Sequence, residues 1–164
     1  MFSVFKKINS FAYKWKTLDV FAIFLARYLP YILVIILFFY ALSQNNYYIF
    51  IYSLVCGLFS RFIINEIVNL FYKESRPAQI EGTKILIPVP KNYSFPSGHA
   101  SFFFGVSFFL LPYNLYLSLF FVSLSFLVGI ARVFCGVHWF RDILAGAVAG
   151  GISAIVLYKL ISFL

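Results

Sequence analysis

Pro96-Ser97-Gly98-His99 and Arg132-x5-His138-x3-Asp142 between them hold both histidines of this 164-residue chain. An imidazole can carry a proton or attack as a nucleophile near neutral pH. Pro and Ser favour the start of a helix, Gly98 lets its backbone N–H approach a ligand closely, and free N–H groups at a helix N-terminus attract an anion. His138 and Asp142 stand at i and i+4, so on a helix they share one face and can hydrogen-bond. The carboxylate then fixes one ring nitrogen and leaves the other free to attack. Arg132, and Arg76 further upstream, offer planar forks of donors that match phosphoryl oxygens. The chemistry these types describe is chemistry at a phosphate.

Each group also has a plainer use: a helix cap, a snorkelling arginine, a structural His–Asp pair. A cap does not explain the histidine beside it, and two arginines and a serine do not meet a His–Asp pair by chance. A metal is the chemical competitor, because His99, His138 and Asp142 form a two-histidine, one-carboxylate set. Arg76 and Arg132 weigh against it, since they repel a cation and welcome an anion, and no HExxH pattern occurs. We therefore expect neither a metal nor another cofactor.

Hydrophobic residues make up 63% of the chain and charged residues 11%. A soluble domain carries about a quarter charged residues, so the composition is that of an integral membrane protein. The net charge of +8 is scattered between apolar runs, which favours anionic lipid over nucleic acid as the partner. Cys56 and Cys135 lie in apolar surroundings without metal or CxxC spacing and read as small buried hydrophobes.

Positioning these groups needs helices. Residues 1–18 mix aromatic side chains with Lys6, Lys7, Lys14 and Lys16, which suits a short amphipathic segment in the headgroup layer or a loose tail. The apolar stretch after it is too long for a signal peptide and lacks a cleavage site, so it is expected to stay attached. A first span is expected from about Val20 to Ser43 and a second from about Tyr47 to Tyr72. The stretch 73–96 holds four prolines and reads as an irregular surface loop. A helical hairpin follows from His99 to Gly136, broken at Pro112-Tyr113-Asn114. Its first arm, about 15 residues or roughly 22 Å, is shorter than a hydrocarbon core of roughly 30 Å and is expected to begin in a recess. The last span starts near Trp139, with Gly146, Gly150 and Gly151 permitting close helix contacts. The expectation is an all-α integral membrane protein: one domain over 1–164, a bundle of about five transmembrane helices. That order puts the N-terminus, loop 73–96 and turn 132–142 on one side, where the polar patches can converge. Along the second span, Arg61, Asn65, Asn69 and Lys73 form a polar stripe expected to support Arg76 from below.

These residues resemble the type-2 phosphatidic acid phosphatase superfamily, whose pattern is K-x6-RP, then PSGH, then SR-x5-H-x3-D. The second block is intact here. The third has Ala131 for serine, and the first keeps Arg76-Pro77 but has Asn69 where lysine is expected, with Lys73 as a candidate substitute. The resemblance implies that His138 is the nucleophile, Asp142 its orienting partner and His99 the acid for the leaving oxygen. Arg76, Ser97, the Gly98 amide and Arg132 would hold the phosphoryl oxygens, without metal. The short chain, Leu18-Asp19 and Asn65 look most like the bacitracin-resistance type of undecaprenyl-diphosphate phosphatases. Phosphatidylglycerophosphate or phosphatidate phosphatases are the alternatives within the superfamily.

Two arguments about sidedness disagree. The lysines on the active-site face point to the cytoplasm by the positive-inside rule. The undecaprenyl-diphosphate resemblance points outward, and we take the extracytoplasmic face as the expectation. A lipid or anion transporter using the same basic pocket is the rival from another class, though inverted repeats and broken helices are not evident. Phosphotransfer to an acceptor other than water stays open.

Overall fold

The computed structural model describes residues 2–162, and every regular element in them is helical. Helix α1 is Phe2–Asn9. Helix α2, Lys16–Ser43, holds one π turn at Phe24–Tyr28, and α3, Tyr47–Phe71, holds another at Ser60–Ile64. After a long loop come α4 (Gly98–Phe109), α5 (Leu115–Phe134) and α6 (Phe140–Ser162). Helices α2, α3, α5 and α6 are each long and apolar enough to cross a membrane, and α4 is apolar but shorter. The five-helix bundle expected from the sequence is present, with spans starting and ending within a few residues of the expected positions. The protein is a multi-pass membrane protein.

The short helix is the central one. Eight of the 12 residues of α4 are buried, and it packs against α6, α5 and α3. At about 1.5 Å per residue it rises roughly 18 Å, so α4 cannot reach both faces of a roughly 30 Å core. Its ends explain its length: Ser97 is extended, and past Phe109 the chain turns through Pro112 to Asn114, which caps α5 by accepting from the Leu117 N–H at 2.9 Å. Around α4 the apolar core gathers Leu33, Leu37, Phe103, Val106, Leu110 and Phe121.

Lipid supplies no hydrophobic force between helices, so close contact and internal hydrogen bonds hold α4 in place. At Gly146 of α6 a Cβ would come within 2.6 Å of the Ala100 Cβ, and at Gly150 within 2.5 Å of the Gly105 nitrogen. Gly151, expected to serve the same purpose, meets only the Phe108 ring at 3.6 Å, an ordinary contact. On the α5 side, Ser118 Oγ donates to the Ser107 carbonyl at 2.7 Å, and the Ser107 and Ser125 hydroxyls lie 3.2 Å apart. Cys56 and Cys135 are buried free thiols, as their surroundings suggested.

Helix α1 does more than lie at a surface. Phe5 and Asn9 are buried, and Asn9 clasps Lys84 of the loop at both N–H and carbonyl while also donating to the Phe134 carbonyl. Lys84 Nζ returns to the Ser10 and Ala12 carbonyls at 2.9 and 2.6 Å. The N-terminal segment thus ties the loop to the end of α5.

Candidate active site

The loop, the α5–α6 turn and the starts of α4 and α6 meet on one side of the bundle. Between them lies a polar cavity of about 110 Å³ whose walls include Arg61, Asn69, Arg76, Gly98, His99, Arg132 and His138. Residues far apart in sequence converge there because α3 delivers Arg61, the loop Arg76, α4 Gly98 and His99, and the α5–α6 corner the rest. Gly136 makes that corner possible: its φ of +80° suits glycine, and a side chain there would run into the Lys84 carbonyl.

His138 is 2% exposed, and both its ring nitrogens have partners. Arg76 Nη1 lies 3.2 Å from Nε2. A guanidinium can only donate, so Nε2 is the accepting nitrogen and carries the lone pair. The proton therefore sits on Nδ1, which faces Asp142 Oδ2 at 3.2 Å. That oxygen also accepts from Ser94 Oγ at 2.5 Å and from the Trp139 N–H at 2.9 Å. Asp142 is fully buried, so three donors on one oxygen hold the carboxylate and, through it, the ring. Burial, followed by the positive charges of Arg132 and Arg76, holds the His138 pKa well below its ordinary 6.5, against the pull of a hydrogen bond to Ser94. The group is a neutral imidazole with a lone pair available at Nε2.

Arg76 differs from its expected role. All five of its N–H donors are engaged within the protein: Nε on the Asn92 carbonyl, Nη2 on Asn92 Oδ1 and the Tyr93 carbonyl, Nη1 on the Val137 carbonyl and on His138. Burial pulls its pKa below the usual arginine value, partly offset by Asp142. Arg76 therefore pins the loop to the α5–α6 turn, and the single N–H it shares with His138 is what it can offer an oxyanion. Trp139 Nε1 on the Ser75 carbonyl at 3.0 Å and the Arg141–Glu74 ion pair add to the same clamp.

Arg132 is 5% exposed, bonds the Ala26 carbonyl through Nη1 at 3.3 Å, and has a buried Nε without a partner among the described residues. Ser97 is fully buried and its hydroxyl likewise lacks a partner. Buried donors without acceptors are costly, so both fit a site completed by an anion. His99 is half-buried on the cavity wall and makes no side-chain hydrogen bond among the described residues. Lys73 falls elsewhere: it is exposed and lines a neighbouring cleft with Lys91 and Tyr93, its Nζ 5.9 Å from the Tyr93 ring. The polar stripe does not prop Arg76 either. Asn65 accepts from Ser101 Oγ at 2.8 Å, and Arg61 lines the cavity.

Ser94 and Asn92 carry much of this geometry, and sequence reasoning passed over both. They lie in an aperiodic stretch where nothing local marks them. Among the described residues no three His, Cys, Asp or Glu side chains gather into a metal-holding group. The His99, His138, Asp142 set fits a cation poorly, because the Asp142 oxygen nearest His138 already accepts three hydrogen bonds and Nε2 faces a guanidinium.

A membrane-embedded, arginine-lined cavity with a carboxylate-oriented histidine suits chemistry at a lipid phosphate. The PAP2 superfamily model matches residues 47–164, and the chain belongs to that superfamily of membrane lipid phosphatases. It is 29% identical over 94% of its length to the bacitracin transport permease protein BcrC of Bacillus licheniformis, covering 77% of that protein. It is 25% identical over 96% of its length to the undecaprenyl-diphosphatase BcrC of Bacillus subtilis strain 168, covering 82% of it. Among solved structures, LpxE of Aquifex aeolicus superposes with a TM-score of 0.72 at 26% identity, over 96% of this chain and 94% of that one. The PAP2-type phosphatidylglycerolphosphate phosphatase of Bacillus subtilis shares the fold at a TM-score of 0.68 and 19% identity, over 99% of this chain and 86% of that one.

Proposed function

We propose that this enzyme hydrolyses undecaprenyl diphosphate to undecaprenyl phosphate through a phosphohistidine on His138. The observation that carries the covalent step is the Nε2 lone pair, which the Ser94–Asp142–His138 relay presents beside Arg76 at 3.2 Å. In the first step Nε2 attacks the terminal phosphorus while the bond to the bridging oxygen breaks. His99, protonated as the phosphate charges enter the cavity beside it, gives that proton to the bridging oxygen, and the lipid leaves as a monophosphate. In the second step neutral His99 takes a proton from water, which attacks the phosphohistidine and releases orthophosphate. Arg132, the Gly98 amide and the Ser97 hydroxyl hold the phosphoryl oxygens, and Arg76 Nη1 passes from Nε2 to one of them as the new bond forms. The positive charge gathered around the cavity does the work that a metal ion would do elsewhere, so turnover is metal-independent.

The names of the relatives support the lipid diphosphate as substrate, and phosphatidylglycerophosphate and phosphatidate are the alternatives. One relative is named for transport, but a neutral imidazole oriented by a buried carboxylate and set beside arginines suits bond making at phosphorus. With that substrate the site faces outward, where the lipid is released; the lysines on this face, among them Lys84, which holds the N-terminal segment, then serve binding and folding rather than orientation. Phosphate release by purified protein from undecaprenyl diphosphate, phosphatidylglycerophosphate and phosphatidate tests the substrate: the first should be cleaved fastest, with vanadate inhibiting and chelators without effect. Preference for either glycerolipid would replace the substrate assignment, and chelator-sensitive activity restored by a divalent ion would overturn the metal-free mechanism. Both native thiols are buried, so Glu81→Cys in the exposed loop should react with an impermeant thiol reagent from outside intact cells; labelling from the cytoplasmic side alone would reverse the sidedness.

A further inference from the structure

Arg61 occupies the π turn of α3, ten residues from the end of the helix at Phe71. At about 1.5 Å per residue that is roughly 15 Å below the site-side end, farther than an arginine side chain can snorkel. Its side chain lies against the start of α4 instead: a Cβ on Gly98 would meet Arg61 Cγ and Nε at 3.6 Å each. It lines the cavity that also holds His99, Arg132 and His138.

Its guanidinium makes no hydrogen bond or ion pair among the described residues. It lies over the ring of Phe62, its neighbour in sequence, at 5.4 Å. Arg76, by contrast, has all five donors engaged, and Arg132 bonds the Ala26 carbonyl. A fixed charge in the middle of a span is expensive unless it faces a polar partner, so an arginine kept there with free donors calls for one. Asn69, two turns along the same helix, lines the same cavity with a buried Oδ1 that has no partner among the described residues.

We propose that Arg61 is a phosphate-binding residue. Its guanidinium takes the substrate's phosphate oxygens from the membrane-embedded side, across the N-terminus of α4 from Arg132. It supplies the free fork that Arg76 does not, and the charge that neither Asn69 nor the outward-lying Lys73 provides. This rests on the phosphatase reading and adds a contact to it.

Vanadate affinity tests the contact without requiring turnover. The concentration dependence of the vanadate-induced rise in melting midpoint is measured for the purified full chain and for Arg61→Ala, with Arg61→Gln as the second variant should the alanine form aggregate. Loss of a charge-assisted hydrogen bond should weaken vanadate binding about tenfold or more and raise KM more than it lowers kcat. Returning a cation, as Arg61→Lys or as Asn69→Lys in the Arg61→Ala background, should recover part of the loss. A folded Arg61 variant that binds vanadate as wild type does would overturn the proposal. So would weakened binding that neither lysine recovers, since Arg61 would then be structural. Wild-type protein that binds vanadate yet releases phosphate from no lipid would remove the phosphatase reading and leave the anion contact standing.

Discussion

The two walls of the cavity are built in opposite ways. On the wall made by the loop and the α5–α6 turn, Arg76, Asn92, Ser94, His138 and Asp142 form one continuous network of hydrogen bonds. On the wall made by the helices, among the described residues, the Arg61 guanidinium and the His99 imidazole make no hydrogen bond, and the Ser97 hydroxyl and Arg132 Nε are buried without partners. The first arrangement fixes one nitrogen lone pair in place. The second leaves donors for an oxyanion to engage. An attacking group gains from having its orientation fixed in advance, whereas groups that stabilise developing charge must be free to meet it. The proposed mechanism accordingly puts the nucleophile on the rigid wall, and the acid and oxyanion ligands on the open one.

Substitutions on the rigid wall should break catalysis hardest. Removing the nucleophile with His138→Ala should lower kcat by at least about 10⁴-fold in a phosphate-release assay, with the melting midpoint close to wild type. Asp142→Asn keeps the shape but disturbs the Nδ1–H tautomer and should cost on the order of 10³-fold. On the open wall, His99→Ala should cost about 10²- to 10⁴-fold with a lipid leaving group, and much less with p-nitrophenyl phosphate, whose leaving oxygen needs no proton. Equal losses on both substrates would remove His99 from the role of acid. Ser94→Ala takes one of three hydrogen bonds from a buried carboxylate oxygen; the loss should be about tenfold in kcat, with KM unchanged. A change in KM alone would place Ser94 on the binding side.

The pH profile sharpens the same contrast. The His138 pKa lies well below 6.5, so the nucleophile stays unprotonated in mild acid and is lost only at lower pH. Any acid limb of kcat/KM set by His138 should therefore fall below 6.5. A limb centred at or above 6.5 that moves in Asp142→Asn would contradict the environment described for the ring.

Much of this was legible in the sequence because it is local. Apolar run lengths mark the spans, Pro112 and Asn114 mark the hairpin, and the brevity of the stretch after Pro96 foretells a recessed α4. The spacing of His138 and Asp142 places them together without knowledge of the fold. What the sequence did not disclose depends on partners distant along the chain. Arg76 reads as a phosphate fork by type, yet its donors meet carbonyls of residues 92, 93 and 137, which no spacing brings near it. Ser94 and Asn92 stand in an irregular loop where periodicity carries no signal. Asn9 lies in the segment read as interfacial, and nothing in that stretch announces Lys84, 75 residues away, as its partner. The stripe on α3 was visible, but only the position of α4 shows that Arg61 faces Gly98 rather than Arg76.

The central claim is that the rigid wall supplies a nucleophile and not merely a base for water. The stereochemical course at phosphorus decides between them, using a substrate whose terminal thiophosphate is made chiral with oxygen isotopes. Attack by His138 followed by water is two displacements, so the account predicts retention of configuration in the released thiophosphate. Inversion would mean direct attack by water and would contradict it.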